Sequence, residues 1–255
     1  MANTIYDNKI IEARAKDLLT TAINTRSLMT VDTSLAENAG MTKTINVYTY
    51  TGEAEALENG QGNTVRGAIS FVGNDYKVQT VQANFEYTDE DFMKDNTVVD
   101  NGVAGATAIL KNKMNADFFT ECGKATLKVT GTLGYDAIVD AISELNVEDE
   151  SKIFVVIPNE WKAQLRKDAD YIAARQGEVV YTGQVGTICG IPVVASKAAT
   201  EAYVMTPEAV KLFIKKDISA ETDRDKDTRT NTVYVRSVYV CALVDATKIC
   251  KIANA

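Results

Sequence analysis

Histidine is absent from this chain. That removes Ser–His–Asp and Cys–His nucleophile systems and histidine-ligated zinc or iron. The most frequent acid–base residue goes with them. Any remaining chemistry would rest on carboxylates, lysines or thiols. Two acidic clusters stand out, Asp89, Glu90, Asp91 and Glu221, Asp223, Asp225, Asp227. Carboxylates are the ligands that calcium or magnesium take. The second cluster interleaves with Arg224, Lys226 and Arg229, which largely neutralise it, and it lacks the glycine and terminal glutamate of a calcium loop. It reads as a solvated or inter-subunit salt-bridge face. A third group, Glu53, Glu55 and Glu58, lies in a glycine-bearing stretch with little to bury. Such a group gains more by meeting a basic surface on another subunit than by packing on its own domain, although an ordinary charged loop has the same composition.

The four cysteines, Cys122, Cys189, Cys241 and Cys250, form no CxxC pair. Their spacing points to neither zinc nor a disulfide framework, and buried reduced thiols are expected. Cys189, in the stretch GTICGIPVVAS, has no histidine to activate it and is expected to pack as a small apolar residue beside Gly190. Gly60-Gln-Gly62 and Gly183-Gln-Val-Gly186 lack the lysine or third glycine of a phosphate loop, so both read as turns. No catalytic, cofactor-binding or metal-binding residue is expected.

The 255 residues suffice for one large domain or two modest ones. With 45% apolar and 24% charged residues the composition is globular, and a core can form without disulfides or metals. The net charge of −8 argues against a surface that clamps nucleic acid, which needs clustered Lys and Arg. It is compatible with a protein that merely encloses nucleic acid. No apolar run approaches the ~18 residues of a membrane span, and the first residues lack the pattern of a secretory signal.

The elements that would position these groups follow from periodicity. Residues 8–24 pattern as an amphipathic helix, with Asp7 as N-cap and Ile11, Ala15, Leu18 and Ala22 on one face. Residues 24–43 have no period and fit either an arm lying on a neighbour or a surface loop. A strand over 44–51 and a second extended segment over 67–87, interrupted at Gly73-Asn74-Asp75, flank the acidic tip. An isolated hairpin of this length is marginal in water and calls for a partner surface, the alternative being an ordinary hairpin with a loose tip. Thr88 begins a short helix. Residues 102–122 form a long one, with Leu110, Met114, Phe118 and Cys122 inward and Gly123 at the C-cap. A helix over 135–145, a buried strand at 153–157 and a helix in NEWKAQLRK follow. Then come two strands joined at Cys189-Gly190, a strand at 202–206 and a helix opened by Pro207. Residues 217–231 read as a charged connection, and 233–244 and 247–252 as closing strands. Regular βαβ alternation is missing, so a doubly wound sheet is not expected.

This order resembles that of the major capsid proteins of tailed phages, the Hong Kong 97-like fold. The resemblance is carried by IFVVIPNEWKAQLRKD, GTICGIPVVAS, YVMTPEAVKLFIKK and AETDRDKDTRTNTVYVRSVYVCALVD taken in order, with EYTDEDFMKD ahead of the long helix. It implies an α+β fold divided into an N-terminal arm (1–43), an extended loop and return strand (44–87), a peripheral domain with a spine helix (88–125), an axial domain (126–210) and a return through the peripheral domain (211–255). It implies a non-enzymatic subunit that self-associates into pentamers and hexamers and closes an icosahedral shell around double-stranded DNA. Assembly would take place in the host cytoplasm, with a separate scaffolding protein, a portal and in some cases a decoration protein as partners. Glu53, Glu55, Glu58 and Arg66 would contact a neighbour's peripheral domain. Glu221, Arg224, Arg229 and Arg236 would form ion pairs within or between subunits.

Some members of that family crosslink a loop lysine to a neighbour's asparagine. The tip GEAEALENGQGNTVR contains no lysine, so no such crosslink is expected. A built-in scaffolding segment is not expected either. An encapsulin-like compartment shell shares the fold and remains an alternative. A carboxylate-based enzyme or carbohydrate-binding domain ranks below both, because aromatics are only 7% and lie mostly on strand faces.

Overall fold

The computed structural model describes residues 11, 25–37, 39–168 and 186–253. The helix expected over 8–24 lies outside them apart from Ile11, which is buried. A turn of 3-10 helix at Thr25–Leu28 leads into β1 (Thr30–Asp32), then β2 (Thr42–Thr51), β3 (Ala68–Lys77) and β4 (Gln79–Thr88). Two helices follow, α1 (Asp89–Lys94) and α2 (Val98–Cys122), then β5 (Leu127–Thr130), α3 (Tyr135–Leu145), β6 (Phe154–Pro158) and α4 (Lys162–Lys167). The chain continues through β7 (Thr187–Ile188), β8 (Ile191–Ser196), β9 (Ala202–Met205), β10 (Val210–Asp225), β11 (Thr230–Leu243) and β12 (Ile249–Ala253).

Among the described residues the strands form three sheets. One has the order β1-β10-β11-β4, another β5-β12-β9-β6-β8-β7, and β2 pairs only with β3. The apolar run at 154–157 is explained by its central place in the six-stranded sheet. Val155 and Ile157 join α3's Ile138, Ala141 and Leu145 on one side, while Phe154 and Val156 join Met114, Phe118 and Cys122 of α2 on the other. A strand covered on both faces has no polar side to alternate with.

Helix α2 is about 37 Å long at 1.5 Å per residue and bridges the two larger sheets. Its first half buries Val99, Val103, Ala106 and Leu110 on Ala83, Val233 and Val235, and its last turns bury Phe118 and Phe119 near Tyr203 and Tyr239. Contact with β4 is close at Gly102, where a Cβ would sit 2.3 Å from the Phe85 ring. Asp117 fixes the helix laterally by accepting from Tyr239 Oη at 3.2 Å and Gln79 Nε2 at 3.3 Å. Thr88 caps α1 reciprocally. Its hydroxyl accepts from Asp91 N at 3.1 Å and its own N–H donates to the Asp91 carboxylate at 3.2 Å.

Several expectations are corrected here. Gly73-Asn74-Asp75 is not a break but lies in regular register opposite Asn46, Ile45 and Thr44. The interruption falls at Val78, which leaves the ladder, buries its side chain beside Phe213 and donates its N–H to Met41 O. Residues 217–231 are not a connection but the far end of the β10–β11 hairpin, paired from Ser219↔Arg236 to Asp225↔Thr230. Pro207 opens a turn closed by Ala209 N–H on Thr206 O, and its carbonyl accepts from Thr30 N. Gly123 ends α2, but at φ −60° rather than in the left-handed region.

Candidate inter-subunit surfaces

The β2–β3 ribbon is the part of the described molecule that its own chain leaves unfinished. Period-2 geometry places Tyr48, Tyr50, Phe71 and Ile69 on one face, with Tyr48 opposite Phe71 and Tyr50 opposite Ile69. Val47 and Val72 oppose each other on the reverse face. All six side chains are exposed, Tyr48 at 62% and Phe71 at 64%. The rings of Tyr48 and Phe71 meet at 5.8 Å, too little contact to shield either from water. The outer edges of β2 and β3 bond to no other strand among the described residues. A two-stranded ribbon of this kind has both apolar faces and unpaired peptide groups to offer a partner. Sequence reading caught Ile45 and Val47 but missed Tyr48, Tyr50, Ile69 and Phe71. The available signal was that apolar residues occur on both faces, which a strand lying on its own core does not need.

The tip is organised from within. Glu55 accepts from Thr64 N at 2.7 Å, Val65 N at 2.9 Å and Thr64 Oγ1 at 2.5 Å. Those hydrogen bonds hold its carboxyl below the usual range. Tyr50 closes the neck, since a Cβ on Gly52 or Gly67 would fall 2.2 Å or 2.4 Å from its hydroxyl oxygen. Glu55 is thus occupied in its own loop. Glu53, Glu58 and Arg66 are exposed and form no ion pair among the described residues. These three are the charges the tip has left to present.

The second predicted group lies at the far end of β10–β11. Arg236 Nη2 reaches Glu221 Oε1 at 2.5 Å, and Arg224 Nη2 reaches Asp89 Oδ2 at 2.6 Å. Asn231 Nδ2 donates to the other Asp89 oxygen at 3.1 Å. Arg229 is brought to the same corner by its backbone: it sits in the turn at φ 53°, and its carbonyl accepts from Asp89 N. These contacts tie the head of α1 to the hairpin end. No group of three Cys, Asp or Glu suited to a metal ion occurs among the described residues.

The thiols divide differently from the expectation. Cys122, Cys241 and Cys250 are buried, and burial pushes Cys241 up to about 12 and Cys250 to about 11. Cys189 is exposed, because the turn joining β7 and β8 requires positive φ at both central positions. Cys189 at 50° and Gly190 at 80° supply them, which turns the thiol outward to 3.2 Å from Tyr135 Oη.

A family model described as phage capsid protein matches residues 72–252. The chain belongs to the phage capsid protein family. As a capsid protein it is a structural component of the virion shell and not an enzyme. A relative from Staphylococcus phage phiMR11, described as a major capsid protein, is 26% identical over 241 residues, covering 89% of this chain and 86% of the relative. Among solved structures, the capsid of Ralstonia phage GP4 matches with a TM-score of 0.72 at 10% identity, covering 88% of this chain and 86% of that one. The mature capsid of bacteriophage PhiM1 matches at 0.70 and 11% identity, covering 100% and 89%. At such identities the structural matches speak for the fold. This capsid protein has the α+β architecture expected from its sequence, and its family falls on the phage side of the two shell readings.

Proposed function

We propose that this chain is the major capsid subunit of an icosahedral phage head, assembling as pentamers and hexamers around double-stranded DNA. The observation that carries this is the free-standing β2–β3 ribbon. It exposes aromatic side chains and unpaired strand edges that the described residues leave uncovered, and further copies would cover them. Head-to-tail contacts of this sort close into rings when the rotation closes. In this reading residues 1–43 are the arm, 44–87 the extended loop and its return strand, 88–125 the peripheral domain carrying α2, 126–210 the axial domain and 211–255 the return. Glu53, Glu58 and Arg66 meet a neighbour directly, and Glu55 acts by holding the tip in shape. Arg224 and Arg236 serve inside the subunit, while Arg229 faces outward. A scaffolding protein, a portal and a decoration protein are the partners this role calls for. With a net charge of −8, the shell would hold packaged DNA by enclosure rather than by ion pairing.

Negative-stain microscopy of the purified protein, with light scattering on the same sample, tests the proposal. Closed shells, tubes or rings of five and six are expected, alone or after adding a scaffolding protein. A monomer under every such condition would refute it.

A further inference from the structure

Two asparagines of the chain precede a glycine, Asn59 in the ribbon's tip and Asn101 near the start of α2. Such a pair is chemically reactive, because glycine has no side chain to hinder attack of its nitrogen on the asparagine side chain. The attack also requires the peptide group between the two residues to swing toward that side chain. The fold treats the two pairs in opposite ways.

At Asn101 the swing is blocked. Its N–H donates to Thr97 O at 3.0 Å, and its side-chain amide donates to Thr97 Oγ1 at 3.4 Å. Gly102 follows inside the helix, where a Cβ would sit 2.3 Å from the Phe85 ring. Closing a ring onto Gly102 N would turn this peptide out of the helix and away from that packing. At Asn59 the surroundings are open. Residues 58–62 are all exposed. Asn59 and Gly60 are the central pair of a turn closed by Gln61 N–H on Glu58 O at 3.0 Å. Gly60 has φ 87°, the left-handed value such a turn gives to glycine, and nothing lies within 4 Å of where its Cβ would be. Among the described residues no backbone carbonyl accepts from Gly60 N.

We infer that Asn59 is a self-modifying site of the tip. Gly60 N gives up its proton to hydroxide and attacks Asn59 Cγ. The new C–N bond closes a succinimide, and the side-chain nitrogen leaves as ammonia. Water then opens the ring at either carbonyl, giving aspartate or iso-aspartate. Over both steps one water is consumed and one ammonia released, with no oxidant or reductant. Residues 53–66 hold three glutamates and one arginine, with Glu55 engaged by Thr64 and Val65. The reaction adds a fourth carboxylate next to Glu58, so the charge of the tip records how long a subunit has stood in solution. This chemistry does not depend on the shell role.

The test holds the full chain at neutral and mildly alkaline pH and follows its peptides by mass spectrometry. A gain of about 1 Da is expected at Asn59, as a mixture of aspartate and iso-aspartate, and faster at the higher pH. Asn101 should lag on the order of tenfold or more in the native chain, since its reaction waits on local unfolding of the helix, and should catch up in denaturant. Asn59→Gln should remove the native gain. Hydroxylamine, which splits succinimides, should cut the native chain between residues 59 and 60 and leave 101 and 102 joined. Native conversion of Asn101 as fast as Asn59 would overturn the inference. So would an Asn59 that stays intact in the folded chain while a peptide of residues 52–67 converts in the same buffer.

Discussion

Replacing Phe71 by serine should separate folding from assembly. Phe71 is 64% exposed on the ribbon, so its monomer environment is mostly water. A phenylalanine offers roughly 200 Å², which leaves about 130 Å² still to be covered. At ~25 cal/mol per Å², complete coverage by a neighbour contributes about 3 kcal/mol per contact and half coverage about 1.5 kcal/mol. The substitution should therefore raise the threshold concentration for assembly by about 10-fold to 150-fold. Within the monomer the ring contact it removes among the described residues is that with Tyr48, worth about 0.5–1 kcal/mol. For a chain of this size that is a fall in Tm of a few degrees at most. Light scattering across a concentration series gives the threshold, and circular dichroism gives the melting point. A strongly lowered Tm with an unchanged threshold would refute the reasoning, since it would place Phe71 in a monomer core.

Glu55→Gln should speed hydrogen exchange at the Thr64 and Val65 amides at neutral pH. The Glu55 pKa is depressed in the folded loop, so the closure it provides is complete above the unfolded carboxylate value. It is lost as pH falls through the lower folded value, and in the wild type the same amides should open only in that acidic window. Gly102→Val should lower stability by about 1–3 kcal/mol, because its Cβ would meet the Phe85 ring. Phe85→Leu in the same chain should recover part of the melting temperature, and an unchanged Gly102→Val melt would contradict the packing described. A thiol reagent at neutral pH should modify Cys189 alone in the native protein and all four cysteines in denaturant, by mass spectrometry.

The legible parts of the sequence were those with one wet face and one dry face, or two dry ones. Helix α3, strand β6 and the core side of α2 fall in this class, because burial there repeats with the period of the element. The end of β10 did not, because Glu221 to Asp225 are all exposed and are held by backbone pairing with β11, which leaves no trace in side-chain type. Val78 was unreadable as a break because it is a strand-forming residue used to cross between sheets, whereas Gly73 carries the usual signal and sits in regular register. At Cys189 the composition of the residue suggested burial, while the turn's demand for positive φ decided the outcome. Among the residues proposed for contact, Glu53, Glu55 and Glu58 were picked out by charge alone. Charge could not show that Glu55 faces inward on Thr64.

The ribbon also has a mechanical consequence. The two larger sheets are locked together by α2, whereas β2–β3 is a thin strip with no third strand among the described residues to stiffen it. Two-stranded strips twist more freely than wide sheets. In the proposed shell of five- and six-membered rings, a change of angle between neighbours would be taken up as torsion along this strip. One amino-acid chain would then fit both kinds of ring of that proposed shell with the same interior.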